Sequence, residues 1–272
     1  MLNPALDKQF AGSIPHLYQT HLVPVIFAPY AEDLAGRLRG RDLGRVLEVA
    51  AGTGVVTRAL AAALPADVAI VATDLNQAML DEAGRIGTPR PVAWQQADAA
   101  QLPFGDGAFD AVVCQFGVMF FPDKAQALGE IRRVLKAGGV LIFSVWDRLA
   151  DNEFTDCVTD ALATLFPDDP PRFMARTPHG YHDRLRIEDD LRRAGFTAPI
   201  RFETRAARSR AESAEALALA FCQGTPLRNE IEARDPGRLE AAMRVSAEAL
   251  RARFGAGPLE GKIQAHVVTI EH

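Results

Sequence analysis

The chain has 272 residues, 48% of them apolar and 24% charged, with 30 Lys plus Arg against 35 Asp plus Glu. This balance excludes a disordered or low-complexity chain, and a mild acidity shared by both halves excludes a surface built to hold nucleic acid. Cys114, Cys157 and Cys222 are too scattered for a disulfide framework or a zinc site, and no apolar stretch reaches the roughly 20 residues of a membrane span. Met1–Lys8 carries no basic segment leading into an apolar core, so the expected location is cytoplasmic.

In chain order, residues 13–40 read as helix interrupted by prolines, and Gly40-Arg41-Asp42-Leu43-Gly44 closes them. Arg45-Val46-Leu47-Glu48-Val49 is a short apolar strand that runs into Ala50-Ala51-Gly52-Thr53-Gly54. An Ala/Leu-rich helix over 55–64 follows and stops at Pro65. The pattern repeats with a strand over 68–73 ending at Asp74, a helix over 76–87, strands over 92–96 and 110–115, a helix over 124–136 and a strand over 140–145. Strands alternating with helices imply right-handed crossovers and a mainly parallel sheet with helices on both faces. Beyond Asp147 the regularity ends: 148–183 are irregular with helical stretches, 187–194 are helical, 199–205 alternate as a half-solvated strand, 211–254 are helical and 262–270 form a last strand.

The chemistry concentrates at the ends of the first strands. Glycines at the tip of strand one let backbone approach a ligand, and the helix behind them offers N–H groups and partial positive charge. A tight turn without a ligand would use the same glycines, and Thr57 stands where the dinucleotide fingerprint asks for a third small residue. Asp74, 22 residues past Gly52, has the spacing of an acid that grips ribose hydroxyls. Asp98 follows the third strand, where it serves equally as a turn residue or as an acceptor for a purine amine. Together these residues occupy the carboxyl ends of three successive strands, the usual ligand crevice of open α/β sheets.

The string Val46-Leu47-Glu48-Val49-Ala50-Ala51-Gly52-Thr53-Gly54 resembles the first motif of class I S-adenosylmethionine-dependent methyltransferases, with Ala50 in place of the usual first glycine. Thr73 to Leu80, Gln96 to Phe104, Phe109 to Phe116 and Glu130 to Gly139 resemble the family's later motifs in order, most closely in the branch that includes the ubiquinone and menaquinone biosynthesis methyltransferases. The resemblance implies a Rossmann-like, doubly wound seven-stranded α/β sheet, mostly parallel with the last strand antiparallel, and helical cover segments. It implies one domain over 1–272: an N-terminal helical cover over 1–40, a cofactor core over 41–147, cover insertions and the sixth strand over 148–258, and the last strand over 259–272.

For the cofactor, S-adenosylmethionine, the same resemblance implies Glu48 near the methionine end and Ala50, Gly52, Thr53 and Gly54 around the backbone-lined loop. Asp74 would hold the ribose, Leu75 and Met79 would flank the adenine, Asp98 and Ala99 would meet its edge, and Gln115 and Phe116 would lie beside the methionine and methyl group. Ala50 is harmless if its φ is negative and narrows the loop if it is left-handed. The expected activity is methyl transfer to a small-molecule acceptor at O, N or C. The rivals are an NAD-dependent oxidoreductase and a non-catalytic S-adenosylmethionine-binding regulatory protein.

On the acceptor side the candidates are Tyr18, His21, His179 and His182, all outside the cofactor motifs. No metal is expected, because these side chains have no ligand spacing and no matching set of acids. The arginines from Arg184 to Arg210 read as a solvated face diluted by acids. No membrane span and no nucleic-acid partner are expected, and the oligomeric state is left open.

Overall fold

The computed structural model describes residues 7, 10 and 12–272. Most of the segment used above to argue against a secretory signal, Met1–Leu6 and Lys8, lies outside the described residues. In chain order the elements are α1 (Ile14–Leu17), a run of wider turns over Tyr18–Phe27, α2 (Ala28–Gly36), β1 (Arg45–Val49), α3 (Val55–Ala63), β2 (Ala69–Asp74), α4 (Gln77–Ile86), β3 (Ala93–Gln96) and β4 (Phe109–Gln115). They continue with α5 (Lys124–Val134), β5 (Leu135–Trp146), α6 (Glu153–Leu165), α7 (Phe173–Arg176), α8 (Arg184–Arg193) and β6 (Arg201–Ala211). The chain ends with α9 (Ala214–Gln223), α10 (Leu227–Arg234), α11 (Leu239–Phe254) and β7 (Leu259–Glu271).

The sheet has seven strands in the order β3-β2-β1-β4-β5-β7-β6. The first five are parallel, with Glu48 level with Ala72 on one side and Val113 on the other, and Gln115 level with Ser144. The last strand runs against them: Gly138 N–H donates to His272 O (2.7 Å), His272 N–H to Gly139 O (2.8 Å), and Asp147 N–H to Gln264 O (3.0 Å). Partner numbers that fall on one strand as they rise on the other define an antiparallel ladder. The strand order reverses between β1 and β4, which opens a crevice at their carboxyl ends.

By its internal packing the chain divides into two compact units. One contains Ala28–Val145, Tyr181–Arg205 and Ala265–His272. On one face of its sheet Val46, Ile70, Ala111, Val113, Val140 and Ile142 pack with Ala31 and Leu34 of α2 and Val56 and Leu60 of α3. Helix α3 ends as expected, because Leu64 is already extended (φ −94°, ψ 152°), the conformation imposed on a residue before proline. Helix α5 starts where the Asp123 carboxylate accepts from Gln126 N–H.

The other unit contains the described residues up to Phe27, Trp146–Gly180 and Ala206–Gln264, with α11 packed on α6 and α9. Here Asp7 is buried against Arg176, which reaches it through two short contacts (2.7 and 2.9 Å from Nη2), and against the Thr177 hydroxyl (2.6 Å). The buried Glu230 carboxylate accepts from Arg172 and Phe173 N–H at 2.8 and 3.0 Å, which satisfies the start of α7.

Three elements depart from the sequence reading. The helix expected over 124–136 stops at Val134 and the strand starts at Leu135, because Lys136–Gly139 form a bulge between the Phe109–Leu135 and Ala111–Val140 pairs. Gly138 takes φ +77° there, and a Cβ on Gly139 would lie 2.8 Å from Lys136 O, so these glycines shape a bulge and do not end a helix. Strand β6 runs to Ala211, six residues past the expected end. Its arginines find acids: Arg205 meets Asp33 in one unit, and Arg210 meets Glu260 at 2.6 Å in the other. The interrupted N-terminal helix keeps turning through Pro24 by widening over Tyr18–Phe27, which accommodates a residue with no N–H to donate.

Candidate functional site

At the carboxyl end of β1 the chain curls through Ala50, Gly52 and Gly54 with φ of +56°, +56° and +82°. Ala51 N–H donates to Thr73 O (2.8 Å), Gly54 N–H to Ala51 O (2.9 Å), and the Arg58 guanidinium to Thr53 O (2.7 Å), so the curl is tied to both β2 and α3. Ala50 is therefore left-handed, the case in which the first-glycine replacement has a steric cost. The structure accommodates its methyl by leaving Gly117 bare: a Cβ on Gly117 would sit 2.5 Å from Ala50 Cβ and 2.7 Å from Cys114 Sγ. Gly117 was not singled out in the sequence, and a lone glycine after β4 carries no signal of a partner 67 residues away.

The two glycines of the curl have different reasons. At Gly54 a Cβ would lie 2.8 Å from the Trp94 ring and 3.3 Å from Ala83, so this glycine lets α3 pack closely on β3 and α4. At Gly52 a Cβ would meet Met79 Cε only at 3.5 Å, and the requirement there is the positive φ.

Asp74 closes the curl from β2. Its Oδ2 accepts from Gly52 N–H at 2.9 Å and its Oδ1 from Asn76 N–H at 2.8 Å, and burial pushes its pKa up against the pull of those bonds. Its Oδ1 also accepts a longer bond from the Asn76 side-chain amide (3.4 Å), and the Leu75 N–H adds to the pull on the carboxylate. Beside it Leu75 is an apolar side chain left 43% exposed, while Met79 is buried. Asp98 is exposed and uses Oδ1 for Ala100 N–H (2.9 Å); Ala99 is buried next to it.

Under the curl lies a buried polar set. Glu48, Gln115 and Ser144 fall two positions beyond the core residues Val46, Val113 and Ile142, so by strand alternation they share that face of the sheet. Glu48 is 1% exposed and accepts from the Thr57 hydroxyl at 2.5 Å. Desolvation raises its pKa to about 8, helped by the Asp74 charge and opposed by the Thr57 bond and the Arg58 charge. Thr57, a misfit to the dinucleotide fingerprint, thus has a definite partner on β1. The Thr53 hydroxyl oxygen is buried with no hydrogen-bond partner among the described residues, a polar atom left for a ligand. Phe116, like Ala50, is left-handed (φ +53°), and its ring meets Tyr30 edge-on at 5.3 Å. Two non-glycine residues held left-handed at adjacent strand ends mark a site where surrounding structure over-determines the backbone.

The acceptor-side candidates fall in both units. Tyr18, His21 and His179 belong to the unit built on α6, α9 and α11, and His182 to the unit built on the sheet core. Tyr18 and His179 are members of one row of rings, Phe10–Tyr18–Phe27–Trp146–His179, with centroids 5.0 to 6.0 Å apart. His179 is buried with Nδ1 2.8 Å from Asp147 O, and His21 is half-buried in the widened turns. His182 is also half-buried, next to Tyr181, whose hydroxyl donates to Asp190 at 2.8 Å. Among the described residues no three His, Cys, Asp or Glu come together as a metal site, and no helix is long and apolar enough to cross a membrane.

Residues 47–143 match the family model of a methyltransferase domain. Over 172 residues the chain is 35% identical to the ubiquinone/menaquinone biosynthesis C-methyltransferase UbiE of Burkholderia mallei, an alignment covering 58% of this chain and 69% of the relative. The chain belongs to the class I S-adenosylmethionine-dependent methyltransferases. Against the UbiE of Geotalea uraniireducens the chain is 37% identical over 107 residues, which are 38% of this chain and 46% of the relative, so there it spans about half the relative's length. The fold of this chain is also that of a Haemonchus contortus phosphoethanolamine N-methyltransferase 2 solved with phosphomonomethylethanolamine and S-adenosylhomocysteine. The TM-score is 0.61 at 15% identity, over 99% of this chain and 61% of that one.

Proposed function

We propose that the chain binds S-adenosylmethionine in the curl between β1 and α3 and transfers its methyl group to a small-molecule acceptor. The observation that carries this reading is the left-handed loop with Asp74 bonded across it to Gly52 and the partnerless Thr53 hydroxyl buried within it. Asp74 would take the ribose hydroxyls, Leu75 and Met79 the faces of the adenine, and Asp98 with Ala99 its edge. Gly52, Thr53 and Gly54 would line the cofactor's backbone-facing side, with Glu48, Ala50, Gln115 and Phe116 toward the methionine.

When bound, the cofactor supplies an activated methyl on a sulfonium leaving group. The chain's task is then to orient and desolvate, because aligning nucleophile with methyl and excluding water both lower the barrier. Acceptor choice is assigned to segments outside the matched region, where Tyr18, His21, His179 and His182 lie. Thr57 argues against a nicotinamide dinucleotide: its buried hydroxyl is spent on Glu48 where that fold places a third small residue against the pyrophosphate helix.

Calorimetry tests the reading. S-adenosylhomocysteine is expected to bind and NAD is not, and tight NAD binding with no response to S-adenosylhomocysteine overturns the assignment. Single replacement of Tyr18, His21, His179 or His182 is expected to change methyl-transfer rates across phenol, amine and carbon acceptors more than cofactor affinity.

A further inference from the structure

Two cations meet over one ring at the ligand end of the sheet. Lys124 opens α5, directly after the loop over 116–123 that leaves the carboxyl end of β4, and α8 packs along α5. The buried Tyr181 ring centre lies 4.9 Å from Lys124 Nζ and 5.6 Å from the Arg186 guanidinium carbon, within cation–π range of both. Among the described residues neither cation has a carboxylate at ion-pair distance: Lys124 Nζ donates to Phe121 O at 2.9 Å, and Arg186 makes no hydrogen bond. Other arginines of α8 are engaged, Arg184 with the Thr204 hydroxyl, Arg192 with Glu188 and Arg193 with Asp190. The acids whose charge reaches Lys124 are committed as well, Asp190 to the Tyr181 hydroxyl and Asp123 to Gln126 N–H.

We propose that Lys124 and Arg186 together hold an oxyanion, a carboxylate or phosphate, carried by the methyl acceptor, so that the acceptor is an acid. The assignment to the acceptor rests on the reading of the curl as the S-adenosylmethionine site. Holding two like charges close in a half-buried place costs free energy: burial, and after it the Arg186 charge, lowers the Lys124 pKa against the pull of Asp190 and Asp123. The Tyr181 ring offsets part of that cost, and an oxyanion between the two cations supplies the missing counter-charge. The loop that ends at Lys124 begins with Phe116 at the tip of β4, so the pair and the curl belong to the same compact unit and the same end of its sheet. Lys124 offers a rotatable point charge and Arg186 a planar fork of donors, which suits a group with two or three charged oxygens.

Inorganic phosphate, titrated into the full chain with S-adenosylhomocysteine present and followed by NMR of the backbone amides, tests the site. Saturable shifts at Lys124 and Arg186 are expected. Lys124→Gln is expected to weaken phosphate binding about tenfold and the exposed Arg186→Gln about threefold, while Arg184→Gln, which removes a neighbouring charge already bonded to Thr204, changes it less than about twofold. Arg186 is exposed, so its variant is expected to fold and keeps the test available should Lys124→Gln fold poorly. No saturable shift at either residue, or parental phosphate binding in Arg186→Gln, overturns the site. A second arm separates an oxyanion of the acceptor from a free ion: methyl transfer is compared between hydroxy- and amino-substituted aromatic acids and their neutral amides. The acids are expected to be preferred, with KM raised in both variants and kcat little changed. Phosphate held at the pair while the amides turn over as fast as the acids overturns the assignment to the acceptor and leaves the proposed function standing. Absence of S-adenosylhomocysteine binding overturns the proposed function and with it the assignment to the acceptor, and the phosphate titration still decides whether the two cations form an anion site.

Discussion

The pairing of Ala50 with Gly117 gives a sharp energetic expectation. Gly117 has an ordinary right-handed backbone (φ −101°, ψ −38°), so alanine there meets no conformational penalty, only the Ala50 methyl at 2.5 Å and Cys114 Sγ at 2.7 Å. Forcing a methyl into a filled core costs about 1–3 kcal/mol, so Gly117→Ala is expected to destabilise the protein by that amount. Ala50→Gly relieves a left-handed alanine, worth about 1–2 kcal/mol, and returns about 0.4–1 kcal/mol to the unfolded chain as entropy, for a net gain of about 0.5–1 kcal/mol. In the double variant one of the two collisions is gone, and Gly117→Ala is expected to cost about 1 kcal/mol less than in the parent. Urea unfolding of the four proteins in a double-mutant cycle measures this, and a gain of about 1 kcal/mol appears as about 2–4 °C in thermal melts. Additive effects, or an Ala50→Gly variant less stable than the parent, refute the reasoning.

Asp74→Ala is expected to weaken S-adenosylhomocysteine binding roughly 10- to 150-fold, the range for hydrogen bonds to a charged group, with the fold retained; calorimetry and circular dichroism check it together. Glu48 also sets a stability profile. Below about pH 4.5 its carboxyl is protonated whether folded or not; between there and about pH 8 only the unfolded chain loses the proton, so stability falls by up to about 5 kcal/mol and levels off above. Glu48→Gln is expected to flatten that slope in denaturant titrations of the ligand-free protein, and an unchanged slope assigns it to other groups. Asp7→Ala removes a buried partner of Arg176 and is expected to cost about 3 kcal/mol, read from the urea midpoint; a loss under 0.5 kcal/mol shows that Glu230 alone suffices for that arginine.

The sequence by itself determined the sheet and the position of its ligand crevice. Alternating apolar runs and helical periods over 45–145 are local signals repeated five times, and each repeat constrains the next through the handedness of its crossover. Gly52 and Asp74 were legible for the same reason: parallel neighbouring strands bring their carboxyl ends together, and the two residues do meet at 2.9 Å. The resemblance added the antiparallel direction of the last strand, which no periodicity encodes, and the order of the strands came only with the structure.

Only the tertiary structure decided the rest, wherever the outcome depends on what stands across a gap. Ala50 is left-handed because Gly117, far along the chain, vacates the volume its methyl needs. Gly138 and Gly139 make a bulge because β4 and β7 pair on both sides of them, whereas the local string reads as a helix stop. Glu48 looks in the sequence like any acid at a strand end, and its proton is held by desolvation, a property of everything packed around it. Strand periodicity is a local property that a sequence spells out; the sign of one φ, the register of a bulge and the charge of one carboxyl are set by neighbours that only folding brings near.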